Sequence, residues 1–206
     1  MLLERPSPIF DETCRVVLET ERLELRRPTL ADVKAIARLA NDRRVAQNTA
    51  RIPFPYSQTD AERFVHSVAA QPRDTTFLIT RLGDPLGVAA IDIGRGGCPE
   101  LGYWLGVPYW GQGYATEAAR AMIDYAFEAF GHGELRAGAR VVNPASRRVL
   151  EKCGFQWTGV ELRKIVSLGS STPVDRFRLD RGVWSSLKSW RDAYRRRSCS
   201  GAEQRA

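Results

Sequence analysis

Histidine is nearly absent from this 206-residue chain: His66 and His132 are the only two. The four cysteines, Cys14, Cys98, Cys153 and Cys199, stand far apart with no C-x-x-C pair. Such spacing supports neither a zinc site nor a disulfide framework, so the cysteines read as reduced thiols and no metal is expected. Long apolar runs are missing as well. A membrane-spanning helix needs about 18–20 apolar residues in a row, whereas Gly87-Val-Ala-Ala-Ile91 stops at Asp92. The start, Met1-Leu-Leu-Glu-Arg-Pro6, has no apolar stretch behind a basic segment, which argues against a secretory signal. Internal repeats and low-complexity linkers are also absent. The expectation is a cytoplasmic protein with no membrane association.

What is present is an ordinary globular balance, 43% hydrophobic and 27% charged residues. A chain of this length buries about 70% of its unfolded surface and needs no staple. One domain over residues 19–196 is expected, with an N-terminal extension over 1–18 and a flexible basic tail over 197–206. The net charge is +7, and from Arg191 onward five arginines against two acids contribute +3 of it. Arg195-Arg-Arg197 reads as a solvated helix end or as a foothold on RNA or another polyanion. No nucleic-acid motif accompanies it, and the surplus charge also suits a phosphate-rich ligand.

Between the two ends, the hydrophobic period changes in a regular way. Leu23 and Leu25 alternate as a strand, then Val33, Ile36, Ala37 and Ala40 recur at helical spacing. Thr59 and Glu62 form a capping-box pattern ahead of a second helical stripe, Ala61, Phe64, Val65, Val68 and Ala69. Ile52-Pro-Phe-Pro-Tyr56 before it is too proline-rich for a regular element. Thr75–Leu82, Leu86–Gly94 and Pro99–Val107 read as strands parted by Gly83-Asp-Pro and Gly94-Arg-Gly-Gly turns, an antiparallel meander. A long helix from Ala115 to Phe130, ended by Gly131, precedes a strand over Leu135–Val142, and this crossover implies a parallel pair. A helix from Asn143 to Gly154, strands Phe155–Leu168 and Val174–Arg181, and a last helix from about Val183 to Arg196 follow. The fold class is α/β, a mixed central sheet with an antiparallel first half and a parallel pair at the centre, flanked by helices.

Two segments carry chemistry. In Tyr109-Trp-Gly-Gln-Gly-Tyr-Ala-Thr-Glu-Ala118, two glycines one residue apart let the backbone turn and aim successive N–H groups at one spot. The helix behind adds unpaired N–H groups and a positive dipole end, so the segment is a phosphate pocket. It has no Gly-Lys-Ser/Thr of a P-loop, and no strand-end acid follows at dinucleotide-fold spacing. In Asn143-Pro-Ala-Ser-Arg-Arg-Val-Leu-Glu-Lys-Cys-Gly-Phe155, Asn143 suits the N-cap and Pro144 the first helical position. Ser146 shares a face with Val149, Leu150 and Cys153, so its hydroxyl points inward and needs either a nearby carbonyl or a ligand.

Together these segments resemble the GNAT superfamily of acetyl-CoA-dependent N-acetyltransferases, most nearly its RimJ/RimL-like branch, which acetylates N-termini of ribosomal proteins. The resemblance runs from Thr20 to about Trp184. It includes Glu21-Arg-Leu-Glu-Leu-Arg26 and Pro99-Glu-Leu-Gly-Tyr-Trp-Leu105. It implies that backbone N–H groups of the glycine loop, Gly111, Gln112, Gly113, Tyr114, Ala115 and Thr116, hold the coenzyme A pyrophosphate. It further implies that Leu105, Gly106 and Val107 run beside the pantetheine arm, and that Asn143 touches it. Trp110 replaces the Gln or Arg that usually opens the loop. Glu151 stands where another branch keeps a catalytic tyrosine, so that mechanism does not carry over.

Amine acetylation needs a neutral amine, an oxyanion donor and a stabilised leaving thiolate. Glu100, at the start of its strand, reads as the base acting through water or as an ion-pair partner of a nearby arginine; Asp92 on the neighbouring strand is the second candidate. By the branch resemblance Ser146 is the proton donor to the leaving sulfur. A peptide α-amine, with a pKa of about 7.7–8.0, asks less of a base than lysine at about 10.4. The expected acceptor is therefore a protein N-terminus or a small amine, selected by Arg51–Tyr56 and Leu168–Pro173. A non-catalytic acyl-CoA-binding or ribosome-associated protein is the reading from a different class.

Overall fold

The short strands Leu18–Glu19 (β1) and Glu24–Arg26 (β2) pair with each other and lead into Thr76–Arg81 (β3), Asp84–Ile93 (β4) and Pro99–Leu105 (β5). These five are antiparallel neighbours, so the expected meander is present. This computed structural model describes residues 17–71, 73, 75–93 and 98–203, with side chains to residue 193. Glu134–Arg140 (β6) lies parallel to β5. Gln156–Ile165 (β7) and Ser170–Asp180 (β8) complete an eight-stranded sheet of order β1-β2-β3-β4-β5-β6-β8-β7. The helices are Val33–Ala40 (α1), Arg43–Ala46 (α2), Gln58–Ala69 (α3), Tyr114–Ala129 (α4), Pro144–Lys152 (α5) and Arg181–Glu203 (α6).

Side chains alternate across the strands, and the two faces bury different helices. Leu78 and Val88 face α1 and α3 in one core, with Val33, Ile36, Val65 and the flank of Trp104. Phe77, Ala89, Ile91, Leu101 and Leu105 face α4 in the other. Because both sides are covered, Thr76–Thr80 is buried at every position. Helix α4 lies close on the sheet because its stripe is small where it touches: Ala118, Ala119 and Ala126 are fully buried beside Met122 and Phe127. Truncating a buried side chain such as Met122 or Phe127 here costs about 2–5 kcal/mol, so the site rests on a rigid base.

Three details differ from the sequence reading. The capping box of α3 is formed by Ser57 and Asp60, not Thr59 and Glu62. Ser57 is extended, its hydroxyl accepts the Asp60 N–H at 3.2 Å and the Asp60 carboxylate accepts the Ser57 N–H at 2.9 Å. Thr59 already lies inside the helix, where it cannot cap, and Ala69 is exposed. Helix α2, capped by Asp42, and strand β1 were not expected at all. The last helix continues in backbone to Glu203, past Arg196.

All but the last two residues of the 1–18 extension, Cys14 and the Gly94-Arg-Gly-Gly97 turn lie outside the described residues. The side chains of Arg195–Arg197 and Cys199, and with them the proposed hold on a polyanion, do so too. Among the described residues, no helix is long and apolar enough to cross a membrane.

Candidate active site

Strands β5 and β6 pair at only two positions, Glu100 with Arg136 and Leu101 with Ala137. Beyond them the pairing stops, and a cavity of about 390 Å³ opens at the C-terminal end of β5. Its walls come from both sheet faces: Trp104 from the α1 side, Tyr103 and Leu105 from the α4 side. The glycine loop closes one end and the start of α5 lies alongside. Of the residues read from sequence, Leu105, Gly111, Gly113, Tyr114, Ala115, Thr116, Asn143 and Ser146 line this cavity. Gly106, Val107 and Gln112 do not, and Glu100 and Asp92 lie elsewhere.

The loop has the conformation its glycines permit. Gly111 (φ 76°) and Gly113 (φ 83°) are left-handed, and Gly113 caps α4 with no side-chain acceptor for the first N–H groups. The Thr116 and Glu117 N–H groups turn back to the Gly113 carbonyl at 3.1 Å, so Thr116 has its N–H engaged within the protein. Among the described residues nothing accepts from the N–H groups of Gln112, Gly113, Tyr114 and Ala115. Four converging unpaired donors at a helix start make an anion site. Along β5 the fit is narrower than expected. The Leu105 carbonyl accepts the Trp110 indole N–H at 2.8 Å, and the Gly106 N–H donates to the Leu86 carbonyl at 2.8 Å. Trp110, where a charged or amide residue usually opens the loop, therefore latches the loop to the strand end.

A bracket from the N-terminal side braces the same loop. Glu117 accepts the Thr20 hydroxyl at 2.7 Å and the Arg22 N–H and Nε at 2.8 Å, while Arg22 Nη1 donates to the Gln112 carbonyl at 3.1 Å. The Arg22 guanidinium also lies 4.7 Å over the Tyr114 ring. Burial works against the charge on Glu117, but these donors outweigh it and hold the carboxyl below its usual 4.5. A carboxylate depressed in the folded state stabilises above the unfolded pKa, and that gain is lost as pH falls through the folded value. Glu117→Gln is expected to lower the unfolding free energy at pH 7 by about 1–3 kcal/mol. In urea titrations across pH the difference from wild type should shrink below about pH 4.5. A constant difference down to pH 3 would assign the loss to packing instead.

At the other end of the cavity, Asn143 caps α5: its Oδ1 accepts the Ser146 N–H at 3.2 Å, with Pro144 at the first helical position. Ser146 is half-buried, and its Oγ lies 3.0 Å from the Tyr103 hydroxyl, which also lies 3.2 Å from the Ser146 carbonyl. Burial pushes the Tyr103 phenol well above its ordinary range, against a smaller lowering by Ser146. It is a neutral donor at any working pH. Tyr103 has one proton for two acceptors. When it donates to the carbonyl, it can accept from Ser146; when it donates to Oγ, the serine proton is free to point into the cavity. The sequence reading missed Tyr103. The signal was a hydroxyl on the strand face that otherwise shows Leu101 and Leu105 to the core.

Glu100 sits in a second, smaller depression of about 260 Å³, walled also by Arg136, Glu161, Arg163, Arg176 and Arg178. Arg163 engages both Glu100 oxygens and also Glu161. Asp92 is the cross-strand partner of Glu100 and pairs with Arg51. Each candidate base is thus held by an arginine. Just ahead of the two segments read as acceptor-selecting, the Val166 N–H donates to the Ala50 carbonyl at 3.1 Å. Among the described residues no group of three or more His, Cys, Asp or Glu is placed to hold a metal ion.

A parallel strand pair that ends after two positions, a glycine loop opening a helix and a capped helix alongside it meet around this cavity. Residues 22–156 match the family model for the acetyltransferase (GNAT) domain, and the chain belongs to that family. The "Uncharacterized N-acetyltransferase YoaA" of Bacillus subtilis is 32% identical over 170 residues, covering 77% of this chain and 92% of that protein. Among solved structures, RimL, titled a ribosomal L7/L12 alpha-N-protein acetyltransferase in complex with coenzyme A, superposes with a TM-score of 0.69 at 21% identity. The match covers 80% of this chain and 98% of RimL. The microcin C7 self-immunity acetyltransferase MccE, in complex with acetyl-CoA and AMP, gives a TM-score of 0.67 at 21% identity over 78% of this chain and 93% of MccE.

Proposed function

We propose that this GNAT acetyltransferase moves the acetyl group of acetyl-CoA to a primary amine, with a protein N-terminal α-amino group as its acceptor. The observation that carries this reading is the cavity at the end of β5, with free loop N–H groups at one end and the Tyr103–Ser146 pair beside it. The loop suits the pyrophosphate, and Asn143 and the end of β5 flank the pantetheine arm. A neutral amine entering from the α1 side attacks the thioester carbonyl and forms a C–N bond. As the tetrahedral adduct collapses, the C–S bond breaks and the electron pair goes to sulfur. Ser146 gives the departing thiolate a hydrogen bond, and the extra proton of the amine leaves through water, which returns one to the sulfur. The α-amine acceptor is supported by the likeness to RimL, named as an alpha-N-protein acetyltransferase, and by the weak demand such an amine places on a base.

The test is an acetylation screen of N-terminal peptides against small amines, read by mass spectrometry with acetyl-CoA as donor. Peptide turnover supports the reading; turnover confined to small amines moves the acceptor to that class; binding of acetyl-CoA without turnover leaves a non-catalytic module.

Glu100 is the base in this scheme, acting through water from beside Arg163. Glu100→Gln is expected to lower turnover roughly tenfold near pH 6.5, where the amine is mostly protonated, and by less than about twofold near pH 9. Acetyl-CoA affinity should not move. A pH–rate profile superimposable on wild type assigns Glu100 to its ion pair alone and turns attention to Asp92 or solvent.

A further inference from the structure

Among the described residues that wall the cavity, only Arg148 and Lys152 are charged, and both are cations. They stand one turn apart on the exposed side of α5, and neither forms an ion pair with another described residue. Their neighbour Arg147 is different: Glu151 and Asp175 both hold it. Like charges four residues apart on a helix repel and destabilise it, and among the described residues no acid relieves this pair. The arrangement suits an anion brought by a ligand.

The course of α5 indicates which anion. Its first turn lies at Tyr103, and its last lies at the glycine loop. There the Cys153 sulfur lies 3.9 Å from the Thr116 carbonyl, and Arg120 donates to the Lys152 carbonyl at 3.1 Å. The cations therefore stand at the phosphate end of the cavity, outside the ring of loop N–H groups. Those neutral donors serve a pyrophosphate diester. Coenzyme A has one more anion, the phosphomonoester on its ribose, with up to two negative charges, and a guanidinium beside an ammonium suits such a group.

We propose that Arg148 and Lys152 form a subsite for the ribose 3′-phosphate, so that the protein distinguishes coenzyme A from its dephosphorylated form. This rests on the acetyl-CoA reading above.

Calorimetry with coenzyme A and with 3′-dephospho-coenzyme A tests the subsite. Wild type is expected to favour coenzyme A by roughly fivefold to tenfold, the size expected of two solvent-facing charge contacts, with the preference falling as salt is added. In Arg148→Ala/Lys152→Ala the preference should approach unity, while the dephospho form binds as it does to wild type, which also reports an intact fold. Lys152→Glu should favour the dephospho form. Equal loss of both ligands in the double variant would assign the cations to the pyrophosphate and overturn the proposal. A wild type that binds both equally would overturn it too. A wild type that binds neither removes the acetyl-CoA reading itself, and this subsite with it.

Discussion

Gly113→Val is expected to abolish acetyl-CoA binding in a protein that still folds. Gly113 sits at φ 83°, where a β-branched residue is strained by about 1–3 kcal/mol. An added Cβ there would also meet the Arg22 guanidinium at 3.3 Å, disturbing the bracket that braces the loop. Relief of the strain turns the peptide away, and the converging N–H groups lose their common focus. Losing two or more charge-assisted hydrogen bonds at about 1.5–3 kcal/mol each weakens the complex by roughly a hundredfold or more. Calorimetry on variant protein with an unchanged near-UV circular dichroism spectrum is the measurement. Undiminished affinity there removes the loop from the cofactor site.

The second large effect belongs to Ser146. A hydroxyl is a poor acid in water, so its contribution is a hydrogen bond that strengthens as charge develops on sulfur. Removing one such preorganised donor costs about 2.7–4 kcal/mol at the upper end, a fall of roughly a hundredfold to a thousandfold in kcat. Ser146→Ala should show that fall with acetyl-CoA affinity nearly preserved. Tyr103→Phe leaves the serine in place but removes the partner 3.0 Å away that orients it, so a smaller loss of about tenfold is expected. The two variants should not add: with Ser146 gone, Tyr103 has nothing left to orient, and the double variant should match Ser146→Ala. Additive losses would give the two hydroxyls separate tasks. A joint fall of affinity and kcat in Ser146→Ala would make it a ground-state contact with the cofactor.

The parts of this site written within a few consecutive residues were legible in the sequence. Asn143, Pro144 and Gly154 mark the ends of α5 by local backbone chemistry, and the Gly111–Gly113 loop declares its left-handed turns. The parallel pair followed from the strand–helix–strand order alone. Where the cap was placed on Thr59 and Glu62, the register slipped: the box forms two residues earlier, on Ser57 and Asp60. What remained hidden is set by pairings between distant segments. Tyr103 meets Ser146 across 43 positions and Glu100 meets Arg163 across 63. The insertion of β8 between β6 and β7 brings Arg163 and Arg176 to the wall around Glu100, and no local pattern encodes that order.

The Thr20–Arg22–Glu117 bracket bears on how the chain can be shortened. Judged by the core alone, residues 17–22 look dispensable, because among the described residues the first fully packed side chains are Leu23 and Leu25. Trimming to that point would strip Glu117 of three of its donors and leave the Gln112 carbonyl without Arg22, some 90 residues from the cut. The minimal folding unit and the minimal unit with a braced glycine loop thus have different starting points. An affinity tag placed directly against Thr20 would compete for the same few ångströms of surface.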